Sequence, residues 1–88
     1  MITPEDTMRH IHVIWTEGPD GNIEHLARHD VTPEEAEEVL QSPSFETTSR
    51  TSGHPLVFGV TRTGRRLIVV YEMIDQATIL PITAYEST

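Results

Sequence analysis

Eighty-eight residues suffice for one small domain, and no run approaches the roughly 20 apolar residues of a membrane-spanning helix. Six arginines and no lysine stand against 14 acidic residues, a formal net charge of −8, which excludes a general nucleic-acid coat because cations carry phosphate affinity. The absence of cysteine excludes disulfides and thiolate–metal sites.

The apolar fraction, 36%, is modest but above disordered composition. A chain this short hides only about 60–65% of its unfolded surface, so a partner or homo-oligomer formation would add to a modest stability. The start, Met1 to His12, lacks the basic beginning and apolar run of a signal peptide, so the expected location is cytoplasmic, away from membranes.

In chain order, residues 1–8 are expected to be a polar lead-in, with Pro4 and two acids discouraging regular structure, and residues 9–88 a single domain. Arg9–Trp15 is β-branched and alternating, which predicts a first strand with His10, His12 and Ile14 on one face and Ile11, Val13 and Trp15 on the other. The turn cluster Thr16–Gly21 follows. Asn22 is then placed to cap a short helix running to about His29, with Ile23, Leu26 and Ala27 as its apolar stripe.

Thr32-Pro33-Glu34-Glu35 puts threonine at an N-cap, proline at the first helical position and glutamate three residues beyond the cap. This second helix buries Ala36, Val39 and Leu40 and stops near Gln41, ahead of Pro43. Period two then predicts an edge strand at Phe45–Thr51. Strands at Leu56–Arg62 and Arg65–Met73 flank a Thr63-Gly64 hairpin loop, and a last strand spans Thr78–Ala84 with an irregularity at Pro81. Leu67–Tyr71 is apolar at every position and reads as the central strand, covered on both faces. The expected fold class is α+β: a small antiparallel sheet meander packed on two short N-terminal helices, in the order β-α-α-β-β-β-β.

Trp15, the helix end Arg28-His29-Asp30-Val31, the acidic helix Thr32–Leu40, the hairpin Gly59–Glu72 and the segment Ile79–Glu86 together resemble the BrnT toxins of type II toxin–antitoxin systems. The resemblance covers roughly residues 11–86 and implies a RelE-like ribonuclease fold that cleaves RNA and is restrained by a DNA-binding antitoxin docked on it. By motif it carries over Arg28, His29 and Arg65. The chain departs from the family pattern where Arg28 replaces lysine, Asp30 replaces glycine and Tyr85 replaces arginine. The basic C-terminal helix of the family is not among these 88 residues.

Cleavage through the 2′-hydroxyl needs a base for that hydroxyl, an acid for the leaving 5′-oxygen and cations for the phosphate oxygens. His29 can serve as acid or base, the usual role of an imidazole, Arg62, Arg65 and Arg66 can hold phosphate, and Tyr71 or Tyr85 can supply a hydroxyl. The catalytic candidates are His29, Arg65 and Tyr85, and the RNA-binding candidates are Arg28, Arg62 and Arg66. No metal or other cofactor is expected. His25/His29 and His10/His12 have chelating spacing, but there is no HExxH-type base and no evident third ligand.

Plainer readings stand beside these. The hairpin arginines also suit a solvated tip, and His29 suits the C-terminus of a helix dipole. Glu34, Glu35, Glu37 and Glu38 suit a solvated helix front, or a surface for a basic partner. Trp15 suits a core or antitoxin-facing position. The alternative to a ribonuclease is a catalytically inactive, toxin-derived protein-binding module.

Overall fold

Alternating and helical apolar periods resolve into seven elements. They are β1 (His12–Val13), α1 (Asn22–Ala27), α2 (Pro33–Gln41), β2 (Phe45–Thr48), β3 (Pro55–Val60), β4 (Arg66–Asp75) and β5 (Thr78–Glu86). The computed structural model describes residues 11–87, so the expected lead-in at 1–8 and the positions Arg9 and His10 lie outside the described residues. The five strands form one sheet in the order β1-β5-β4-β3-β2.

The expected element order holds, but the sheet is mixed where an antiparallel meander was expected. β2 to β5 alternate in direction because a short turn or loop joins each pair, whereas β1 pairs parallel with β5, His12 opposite Thr78 and Val13 opposite Ile79. The cause is connectivity: β1 leaves through two helices and no hairpin dictates its direction. Among the described residues its ladder covers only His12–Val13 and stops short of the expected Trp15, although Ile11, Val13 and Trp15 do pack toward the core as their alternation requires.

Thr32 caps α2 through a reciprocal pair. Its hydroxyl accepts from the Glu35 N–H at 3.1 Å, and its own N–H donates to Glu35 Oε1 at 3.0 Å. α1 starts differently from expectation. Gly21 occupies the N-cap position without a side-chain cap, and Asn22 turns inward. The Asn22 amide donates to the carbonyls of Ile14 and Pro81 at 2.9 and 3.0 Å and accepts from the Thr16 N–H at 2.9 Å. A Cβ at position 21 would strike the Thr16 carbonyl, so only glycine allows this close approach.

The helices bury Leu26, Val31, Ala36, Val39 and Leu40 against Val57, Leu67, Val69, Tyr71, Ile79 and Ala84 of one sheet face. α2 lies so close to β3 that a Cβ on Gly59 would sit 3.0 Å from Val39 Cγ1. β4 is the middle strand, as expected, but both helices pack on one side. Leu67, Val69 and Tyr71 are buried, whereas Ile68 and Val70 on the opposite face are only half-buried, beside Leu56, Phe58 and the exposed Phe45 and Val60. Val70 pairs with Thr83 and Tyr71 with Pro81, leaving Ile82 as an inserted residue at the expected irregularity. Among the described residues, no helix is long and apolar enough to cross a membrane.

Candidate functional site

Three chain segments meet at one corner: the α1–α2 turn, the β3–β4 turn and the end of β5. α1 ends at Ala27, earlier than the expected His29. Past it, the Val31 N–H returns to the Leu26 carbonyl at 3.1 Å and the Asp30 N–H to Ala27 at 2.9 Å, closing a Schellman turn. Its left-handed position is Asp30, at φ 63°. The β3–β4 turn is closed by the Thr61 N–H on the Arg65 carbonyl at 2.9 Å, and the Thr61 hydroxyl accepts from the Arg65 N–H at 3.1 Å.

Arg65 ties the corner together. Its Nη1 donates to the Asp30 carbonyl at 2.8 Å and to both oxygens of Glu35 at 2.8 and 2.9 Å, and its Nη2 lies 3.6 Å from Glu86. The hydrogen bond to Glu35 raises the Arg65 pKa above its already high ordinary value, so this cation stays charged. Burial pushes the Glu35 carboxyl upward, but the Thr32 N–H and hydroxyl together with Arg65 outweigh it and hold Glu35 below the ordinary carboxylate value.

The His29 ring, in the turn that Arg65 grips, lies 6.3 Å from the Tyr85 ring and 6.0 Å from that of His25. His25, His29 and Tyr85 thus line the seam between α1 and β5, all three exposed to solvent. The candidates His29, Arg65 and Tyr85 therefore come together from positions 20 to 56 residues apart. Arg28, at the C-cap of α1, is exposed beside His29.

The other arginines do not join them as one patch. Arg66 pairs with Val60 and shares its face of the sheet, the face away from the helices, opposite to the Arg65 contacts. Arg62 is exposed, and its backbone N–H donates to Glu38 Oε1 at 2.9 Å. Tyr71 is 4% exposed in the core, which removes it from the pair of hydroxyl candidates and leaves Tyr85. Trp15 is half-buried against the core, and its indole N–H donates to Glu37 Oε2 at 2.6 Å.

The acidic front of α2 is therefore more than a solvated face. Glu35, Glu37 and Glu38 each accept a hydrogen bond from a distant segment, and Glu34 alone of the four fits the simple reading. Glu86 is a further member of the corner that had no predicted role, and Asn22, expected as a cap, is instead the buried anchor at the other end of α1. A polar residue at a helix start gives no hint that it turns inward.

Next to His25 the seam opens into a cleft of about 390 Å³, bounded by Asp20, Gly21 and His25 on one side and Leu80, Pro81 and Ile82 on the other. Among the described residues, no three histidine, aspartate or glutamate side chains are grouped to hold a metal ion. Chemically, the corner offers an imidazole and a phenol on one exposed seam, the exposed Arg28 next to His29 in the chain, and the Arg65 guanidinium engaged by Glu35 and Glu86. No family model, curated protein or solved structure matches the chain.

Proposed function

We propose that this chain is a BrnT-like toxin-family protein with a RelE-like fold, which cleaves RNA in the cytoplasm without a metal and is restrained by a DNA-binding antitoxin. The observation that carries the reading is the meeting of His29 with Tyr85 across the α1–β5 seam, in a turn fixed by Arg65. Cleavage begins when the ribose 2′-hydroxyl attacks the adjacent phosphorus. Neutral His29 accepts the hydroxyl proton, the bond to the 5′-oxygen breaks, and the Tyr85 hydroxyl protonates that leaving oxygen. The products are a 2′,3′-cyclic phosphate and a free 5′-hydroxyl, and proton exchange with water resets the pair.

Arg28, exposed and next to His29 in the chain, is the cation we assign to the phosphate oxygens. Arg65, already engaged by Glu35 and Asp30, is a positioning residue: it holds the turn that presents His29. That same engagement favours the second reading, a protein-binding module that kept the fold without the chemistry, because the best-placed guanidinium is neutralised by two carboxylates.

Induced expression in a bacterium separates the two. The wild type is expected to slow growth and degrade bulk RNA. His29→Ala is expected to lose about 10²- to 10⁴-fold of the cleavage rate of purified protein, the usual worth of one general acid–base group. Equal growth and intact RNA with wild type and His29→Ala alike would reject the ribonuclease and leave the binding module.

A further inference from the structure

The cleft beside α1 takes no part in the proton transfers above, yet it adjoins them through His25, which lines the cleft with its ring 6.0 Å from that of His29. Its volume of about 390 Å³ lies toward the lower end of the roughly 300–1,000 Å³ of small-molecule sites. Two features define what it accepts. Leu80 and Ile82, flanking the buried Pro81, supply an apolar wall, and Asp20 supplies the one carboxylate among the lining residues. Phosphate is repelled there, whereas a flat, neutral ring is suited to the wall and to the imidazole face.

Asp20 stands on an exposed but tightly closed stretch of backbone. It sits in the turn Gly18-Pro19-Asp20-Gly21, closed by the Gly21 N–H on the Gly18 carbonyl at 3.0 Å, with proline presetting the backbone and Gly21 pressed under the Thr16 carbonyl. An ionised carboxylate only accepts hydrogen bonds. Guanine presents N1–H and the exocyclic N2 amine side by side, which matches both oxygens at once. Adenine and cytosine place an acceptor nitrogen beside their amine, and uracil flanks its N–H with two carbonyls, so each sets an acceptor against the carboxylate.

We infer that this cleft is a guanine-binding subsite that fixes which nucleotide lies next to the scissile bond. A guanine stacked on His25 with its edge on Asp20 leaves its sugar–phosphate directed along the seam toward His29 and Tyr85. The assignment of RNA as the ligand rests on the ribonuclease reading, but binding of the base does not require cleavage.

Titrating the ¹⁵N-labelled full chain with guanosine, adenosine, cytidine and uridine tests it. Guanosine is expected to shift the amides of Asp20, Gly21, His25 and Ile82 and to bind about tenfold or more tighter than the other three, the discrimination of one good bidentate contact. Asp20→Asn, a change at an exposed turn position, is expected to lose that preference while the rest of the spectrum stays folded. Equal binding of the four nucleosides, shifts confined to other regions, no shifts at all, or an Asp20→Asn variant that keeps its guanosine preference would each overturn the subsite. Cleavage of mixed-sequence RNA without guanine preference also overturns it and spares the ribonuclease. Guanosine binding by a chain that leaves RNA intact does the reverse.

Discussion

The two helices cover the same sheet face but are fastened to it differently. α2 has nine residues, a reciprocal cap, and three carboxylates that reach other segments: Glu35 to Arg65, Glu37 to the Trp15 indole and Glu38 to the Arg62 backbone N–H. α1 has six residues and no side-chain cap, and its polar anchorage runs through the buried amide of Asn22. A domain with a small core and no lysine thus uses its surplus carboxylates as acceptors for whatever donors approach: one guanidinium, one indole and one backbone amide. The lightly fastened helix is the one that carries the histidine row and the cleft. Local opening concentrates where buried contacts are few, so ligand access falls on the α1 side while α2 keeps the sheet covered.

The largest expected effect breaks α1. Asn22→Ala leaves the Ile14 and Pro81 carbonyls and the Thr16 N–H without their partner, at a residue only 8% exposed. Losing one partner of a buried set costs about 2–3 kcal/mol, and each 1 kcal/mol lowers Tm by about 4–8 °C in a domain of this size. Thermal unfolding followed by circular dichroism checks this. If α1 is the independent weak point, hydrogen exchange in α1 accelerates in the variant more than in α2.

The α2 side should give a smaller loss that depends on pH. Glu35→Gln keeps a residue able to cap Thr32 but removes the charge that pairs with Arg65, which is partly exposed, so the expected loss at pH 7 is about 1 kcal/mol or less. Because the Glu35 pKa is lowered on folding, its contribution is fully present above the unfolded value, about 4.3, and is lost as pH falls through the lower folded value. The gap between wild type and Glu35→Gln should therefore close on acidification below about pH 4.3, as read from urea midpoints. Asp75, held low chiefly by the Ala77 N–H, contributes an acid sensitivity of the same sign that the substitution leaves in place.

How legible this was from sequence follows the range of the interactions. The α2 boundaries, the element order and the Pro81 irregularity rest on cap, proline and alternation signals within a few residues, and they were readable. The parallel pairing of β1 and the bare sheet face around Ile68 and Val70 depend on where distant segments dock. Strand alternation already implies that neighbouring arginines diverge, so three arginines within five residues are poor evidence of one patch. At the site, His29, Tyr85 and Arg65 were named individually. Their meeting, and the engagement of Arg65 by Glu35 from 30 residues away, are tertiary facts that no local pattern encodes.

The smallest effect sharpens the comparison from the opposite direction, by improving the weaker helix. Asp30 holds φ 63°, a left-handed conformation that costs an L-residue roughly 1–2 kcal/mol and aspartate somewhat less, at the helix-terminal position glycine fills most readily. The Asp30 contact to Arg65 runs through its backbone carbonyl, so Asp30→Gly leaves that hydrogen bond available. Glycine gains flexibility in the unfolded chain, which offsets part of the relief, and the expected net gain is about 0.5–1 kcal/mol. The same change removes a carboxylate adjacent to His29 and Arg28, raising the net charge by one where an RNA phosphate would approach. A stabilised variant that also cleaves RNA faster would mean the aspartate restrains the site. A stabilised variant with unchanged cleavage would mean that its charge is screened by solvent and that only the turn geometry matters there.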